Sequence, residues 1–195
     1  MADSGYKIRN QYAIHFLTFT VVSWVDIFTR KECRDILIDA FKYCIDQKGM
    51  LLYAFEIMSN HIHVIMAANE NTRGLSALVG DFKKFTSKQL VAWVSNNPIE
   101  SRQNWMLNIF QNYGQKNKRN EEFQVWIQSN HPEEITSVEF FCQKINYIHA
   151  NPVKAGIVRT SVDYIYSSAG SYAGMDDNVL EVIVMDISGD IGRVN

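Results

Sequence analysis

The sequence has little that would place it outside the cell or in a membrane. Its 195 residues include only three cysteines, Cys33, Cys44 and Cys142, widely separated and without a Cys-x-x-Cys pair. That spacing gives no disulfide framework and reads as reduced thiols, as expected of a cytoplasmic protein. No run of 18 apolar residues occurs, so no spanning helix and no membrane partner are expected. The opening MADSGYKIRN is polar and has no apolar stretch to serve as a secretory signal. Internal repeats and low-complexity stretches are missing too. So is a charge excess of one sign. The formal net charge is −2, which does not advertise a nucleic-acid partner. The balance is uneven, however. From Gly174 onward Asp176, Asp177, Glu181, Asp186 and Asp190 face one base, Arg193. Residues 174–195 therefore form an acidic tail, and residues 1–173 are slightly basic. That body permits a nucleic-acid partner without demanding one.

What is present suits one globular domain. Hydrophobic residues make up 47% and charged residues 21%, which excludes disorder over most of the length. A fold of this size buries about 70% of its unfolded surface, so it needs neither disulfide nor structural metal. Residues 12–22 are rich in aromatic and β-branched types and predict a strand. Cys33, Ile36, Leu37, Ala40, Phe41 and Cys44 recur at helical spacing before Gly49, predicting a helix over 31–47. Residues 51–58 and 61–67 are apolar runs joined by Ser59-Asn60 and predict a β-hairpin. Leu75, Leu78, Val79, Phe82, Phe85, Leu90 and Trp93 predict a second helix over 75–94. FQVWIQ, residues 123–128, alternates and predicts a fourth strand.

The order β-α-β-β-α-β is that of an α+β, ferredoxin-like fold, the split βαβ arrangement shared with RNA-recognition modules. It implies an antiparallel sheet with helices on one face. The stretch 95–122 has room for a short helix around Trp105, Ile109 and Phe110, and the polar run 114–120 predicts a loop. A further helix opens at Thr136, with Glu139 in capping-box position, and is expected to break before Pro152.

Two groups of residues can carry chemistry. His61 and His63 alternate on a strand and so share a face, which is half of a metal site. They can equally be polar residues on a solvated sheet face. A histidine-triad hydrolase would need a third histidine where Ile65 stands. Tyr147 lies well away from the apolar stripe of Phe141, Ile145 and Ile148 on its helix. Asn151 is one turn further on and shares its face if the helix continues that far. A surface tyrosine and a capping asparagine are the plainer alternatives. His149 is about 200° round the helix from Tyr147 and is read as a neighbour only.

The strings MSNHIHVI (58–65) and NYIHANPVKAGIV (146–158), with DYIYSS (163–168) downstream, resemble the single-tyrosine HUH transposases. The resemblance is closest to the REP-associated tyrosine branch of the IS200-like transposases, and it spans about residues 6–173. It implies cleavage and rejoining of single-stranded DNA beside hairpin elements, through a 5′-phosphotyrosine intermediate and with a divalent metal, Mg2+ or Mn2+. By position, His61 and His63 take the place of the metal-binding histidines, Tyr147 that of the nucleophile and Asn151 that of the third ligand. Residues 1–173 are then the catalytic domain. A bound cation suits this chemistry because it neutralises phosphate oxygens and orients the scissile bond.

Lys83, Lys84, Lys88, Lys116, Lys118, Arg119 and Lys154 are the candidate DNA contacts. The polar segment 128–136 is read as a linker. It would let the tyrosine helix move, or pack on a second subunit in a homodimer so that one chain's Tyr147 meets the other's histidines. Two further readings stay open. One is a binding module of the RNA-recognition type, which would stack bases on sheet aromatics. The other is a domesticated transposase that binds hairpins without efficient cleavage.

Overall fold

The structure, a computed structural model, describes residues 7–116 and 122–185. Its elements in chain order are β1 (His15–Thr20), α1 (Lys31–Lys48), β2 (Met50–Ile57), β3 (His61–Ala68), α2 (Leu75–Asn96), α3 (Gln103–Gln115), β4 (Glu133–Glu134), α4 (Val138–Lys154) and α5 (Ala169–Tyr172). The sheet order is β2-β3-β1-β4 with every pairing antiparallel. This is the ferredoxin-like order expected from the sequence. No helix among the described residues is long and apolar enough to cross a membrane.

One sheet face forms the main core. Leu17 and Phe19 of β1, Leu52, Phe55 and Ile57 of β2, and Ile62, Val64 and Met66 of β3 pack there against α1 and α2. Phe41 of α1 stacks on Phe82 of α2 with ring centroids 4.5 Å apart. The α1 helix ends at Gly49, whose φ of 68° is the left-handed stop that its sequence position predicts. The opposite face carries a smaller core. There Phe16, Ala54 and Ile65 receive Phe141, Ile145 and Ile148 of α4. The helices α1 and α2 thus share one face, and the tyrosine-bearing helix lies on the other, where Tyr172 of α5 packs beside it.

Three expectations need correction. Residues 123–128 make no regular strand. They run beside the end of β1 through a single bridge, Val21 to Trp126. The chain leaves β1 into a turn in which Ser23 and Trp24 both have positive φ, so no ladder can continue. The fourth strand is instead Glu133–Glu134, paired with Phe16 and His15. It falls inside the segment read as a linker, which is pinned along β1 by Asn130 and Ile135 as well. Second, α4 is capped by Ser137, whose hydroxyl accepts from the Phe140 amide at 3.2 Å, one residue beyond the expected start. Third, α4 runs through Pro152 to Lys154. Pro152 is buried, and Ala155 N–H still reaches the Asn151 carbonyl at 2.8 Å, so packing and the downstream bonds outweigh the one lost donor.

The loop expected over 114–120 begins later than predicted. Gly114 is the last turn of α3, where a Cβ would run into the Glu122 carbonyl. Lys118 and Arg119 lie outside the described residues, as do residues 186–195 of the acidic tail.

Candidate active site

The geometry of β2 sets up the site. Its register against β3 shifts between Leu52 and Ala54, leaving Tyr53 as an extra residue. Such a bulge turns every later side chain over to the other face. Phe55 and Ile57 therefore enter the main core, and Glu56 points to the α4 side, opposite His63. His61 and His63 point there too, with ring centroids 4.9 Å apart. One ligand atom from each of Glu56, His61 and His63 lies within 4.8 Å of the others.

Each imidazole is oriented from behind. His61 Nδ1 donates to Asn60 Oδ1 at 2.7 Å, which leaves Nε2 with its lone pair. His63 Nδ1 lies 2.9 Å from the Thr18 hydroxyl on β1, which holds the ring in place. The ring of Phe16 stacks on His63 with centroids 5.2 Å apart.

From the other side comes α4. The Tyr147 hydroxyl is 3.5 Å from His63 Nε2, and its ring meets Phe16 and His63 edge-on. The residue is 43% exposed, so its hydroxyl side is open to solvent. One turn on, Asn151 Nδ2 donates to Glu56 Oε1 at 2.5 Å. Lys144, one turn before Tyr147, pairs with Glu133 of β4 at 2.6 Å and sits 4.2 Å from the centre of the Phe16 ring. The three residues Lys144, Tyr147 and Asn151 line one edge of α4. All these contacts form within a single chain.

Electrostatically the site is poised for a cation. Burial pushes the Glu56 carboxyl up to about 8, against the opposing hydrogen bond from Asn151. Burial, with the charges of His61 and Lys144, pushes His63 down to about 3, and burial also lowers His61. Both imidazoles are therefore neutral near pH 7 and can ligate. Glu56 is fully buried and its Oε2 has no hydrogen-bond partner, an arrangement costly for a bare carboxylate. A divalent ion held by two imidazoles and the carboxylate would offset the cost of ionising Glu56 there, so the residues fit the metal.

The sequence motifs place His61, His63, Tyr147 and Asn151 together, and the structure brings all four to one spot. Glu56 was missed, although a charged residue inside the apolar run MLLYAFEI was a usable signal. DYIYSS also has a role. The Tyr164 hydroxyl donates to the Ile57 carbonyl at 2.5 Å, the Ser168 amide to Phe55 at 2.9 Å, and Ser167 bridges to Glu56. The segment thereby clamps the Glu56-bearing end of β2. His149 turns away from Tyr147 and meets the Ser168 hydroxyl at 2.9 Å.

The basic candidates are dispersed. Lys84 and Lys88 are exposed on α2, on the far side of the sheet from the histidines, and Lys154 is exposed at the end of α4. Lys83 is turned inward, donating to the Ile127 carbonyl at 2.8 Å and to Asn130. Lys116 is exposed at the end of α3. An RNA-recognition face would be open and aromatic. Here the corresponding face is covered by α4, and Phe16 is only 4% exposed.

Comparison with known proteins agrees with this architecture. The family model described as "Transposase IS200 like" matches residues 9–113, a stretch that includes Glu56, His61 and His63. A solved REP-associated tyrosine transposase bound to a REP hairpin is similar over 94% of this chain and 95% of its own, at 17% identity and a TM-score of 0.60. That likeness concerns the fold. A transposase candidate from Deinococcus radiodurans R1 aligns over 73% of this chain and 95% of its own, at 17% identity and a TM-score of 0.43. Among curated proteins nothing matches.

Proposed function

The chain belongs to the IS200-like transposase family, and from that premise we propose that it cleaves and rejoins single-stranded DNA beside a hairpin, with Tyr147 as nucleophile. The observation that carries this reading is the 3.5 Å approach of the Tyr147 hydroxyl to His63 Nε2, beside the Glu56, His61 and His63 cluster. Hairpin DNA is the proposed partner, by analogy with the solved relative bound to a REP hairpin. Residues 1–173 form the proposed catalytic domain.

In this reading His61, His63 and Glu56 hold a divalent ion such as Mg2+ or Mn2+, with Asn151 positioning the Glu56 carboxylate or adding its own amide oxygen. When bound, the ion neutralises phosphate charge and orients the scissile group. Asn60 keeps the His61 Nε2 lone pair free for it, and Thr18 holds the His63 ring in place. The Tyr147 oxygen attacks phosphorus as its proton leaves. A phosphorus–tyrosine bond forms, the bond to the 3′ oxygen breaks, and that oxygen takes up a proton. The product is a 5′-phosphotyrosine link with a free 3′-hydroxyl. Attack by another strand's 3′-hydroxyl reverses the step, and the covalent link conserves the bond meanwhile. Phe16, with Lys144 over its own ring, meets the ring of Tyr147 edge-on and steadies it.

The test is a covalent adduct. A labelled single-stranded hairpin incubated with the protein and Mn2+ should give a DNA–protein species that survives denaturation. It should vanish in Tyr147→Phe, and that variant should melt like the wild type. An adduct that persists in Tyr147→Phe refutes the assignment. Hairpin binding with no adduct in the wild type points instead to a member that retains recognition alone.

A further inference from the structure

Trp24 stands where the core has no use for it. Its side chain is 61% exposed, at the turn that follows β1. Ser23 and Trp24 are consecutive non-glycine residues with positive φ, 52° and 55°. A Cβ makes that region unfavourable, and a bulky ring makes it more so. Residues held in such geometry cluster at ligand clamps, where the surrounding structure enforces them.

The enforcement is visible. Asn60 donates from Nδ2 to the Trp24 carbonyl at 3.3 Å while its Oδ1 accepts from His61 Nδ1 at 2.7 Å. One asparagine thus fixes both the tautomer of a ligand histidine and the turn that presents the indole. The indole stands edge-on to His61, with centroids 6.0 Å apart at 75°. On the other side, the Ser23 hydroxyl donates to the Tyr113 hydroxyl of α3 at 3.1 Å. Tyr113 is itself 38% exposed, and the Lys116 ammonium lies 5.7 Å from its ring centre. An open indole beside His61 is thus joined, through the Ser23-Trp24 turn, to a phenol with an ammonium over its ring.

We propose that Trp24 is the stacking platform for an unpaired base of single-stranded DNA next to the scissile phosphate, with Tyr113 and Lys116 receiving the strand beyond it. This rests on the strand-transfer reading above and names the surface that the substrate's flank uses. The chemistry fits a single strand and not a duplex stem. Only an unpaired base offers a free face to an indole, and stacking of this kind tolerates any base while a nearby ammonium takes the phosphate. The indole's place beside His61 puts the stacked nucleotide at the reacting phosphate, where a held base would fix the register of cleavage.

The test uses the full chain without added metal and two probes, a DNA hairpin alone and the same hairpin with a single-stranded flank. Trp24→Ala should weaken binding of the flanked probe about 5- to 150-fold and leave the bare hairpin unchanged. Trp24→Phe should keep most of the affinity. Trp24→Gly relaxes the turn, so it should melt no lower than the wild type and still lose the flank's contribution. With 5-iododeoxyuridine scanned through the flank, irradiation should link one position to the peptide that contains Trp24. Flanked-probe binding by Trp24→Ala and Trp24→Gly equal to the wild type, or cross-links only elsewhere, overturns the proposal. The Tyr147 adduct is scored separately. An adduct in the wild type with flank binding indifferent to Trp24 removes the platform and leaves strand transfer standing. Trp24-dependent flank binding with no wild-type adduct removes strand transfer and leaves the platform.

Discussion

Glu56 and His63 face each other across β2 and β3 with Glu56 Oε1 3.9 Å from His63 Nε2, yet burial keeps them from forming an ion pair. The carboxyl is pushed up to about 8 and the imidazole down to about 3, so near neutral pH the pair is carboxylic acid and neutral ring. A cation entering between them finds two imidazole ligands already deprotonated and need displace only the Glu56 proton.

Metal-free stability should carry the mark of that proton. The folded chain holds it to about pH 8, whereas the unfolded carboxyl loses it near 4.5, so the Glu56 contribution falls as pH rises between those values. His63 acts oppositely, adding stability from about pH 3 to 6.5, and Lys83, pushed down to about 7 by burial, adds it above 7. The clean reading is therefore wild type against Glu56→Gln from pH 6.5 to 8. Urea melts should show the wild type losing about 1–2 kcal/mol relative to the variant across that window. Saturating Mn2+ should abolish the loss. A constant difference without metal would mean that Glu56 is already ionised.

Much of this site was legible, and Glu56 shows why the rest was not. His61, His63, Tyr147 and Asn151 sit in local patterns, alternation on a strand and one turn of a helix, that survive folding unchanged. Glu56 depends on the bulge at Tyr53. Simple alternation from Met50 and Leu52 puts Glu56 on the core face, and no turn residue announces the shift. The two-residue β4 lies below the length at which periodicity exists, while FQVWIQ has the right period but lacks a straight partner, because β1 ends in the Ser23-Trp24 turn. Pro152 misled in the opposite direction, since burial of α4 overrode a local preference.

Metal affinity should separate ligands from the residues that orient them. Thr18 touches His63 Nδ1, and Asn151 touches Glu56 Oε1. Supporting contacts of this kind are worth about 10- to 100-fold in affinity. Calorimetry with Mn2+ should therefore show Thr18→Val and Asn151→Ala weakened by that range and Glu56→Ala weakened more. If Asn151→Ala loses more than Glu56→Ala, the amide oxygen is the ligand and the carboxylate its support.

Because Tyr147 meets His63 within one chain, subunit exchange is not needed to complete the site. A mixture of Tyr147→Phe and His61→Ala chains should form no adduct with labelled hairpin DNA, where either variant mixed with wild type does. Recovery of the adduct in the doubly mutant mixture would show that α4 swaps between subunits during the reaction.

The position of Tyr147 depends on a small core. Phe141, Ile145 and Ile148 are the buried α4 residues facing the sheet, and Ile148, next to Tyr147, is fully buried against Phe16, Ala54 and Ile65. Truncating it to alanine should cost about 2–5 kcal/mol, since the cavity cannot collapse against a rigid sheet. The loss should not be confined to stability. A displacement on the order of 1 Å at a reacting atom can lower rate about 100-fold, so adduct formation in Ile148→Ala should be slow even well below its melting temperature, while Mn2+ binding by Glu56, His61 and His63 stays close to wild type. Leu37→Ala makes the matched control. It is equally buried in the main core but far from α4, and it should lower stability comparably without slowing the adduct. Equal slowing in both variants would mean that the small core does not position Tyr147, and that the 3.5 Å contact is held by some other part of the fold.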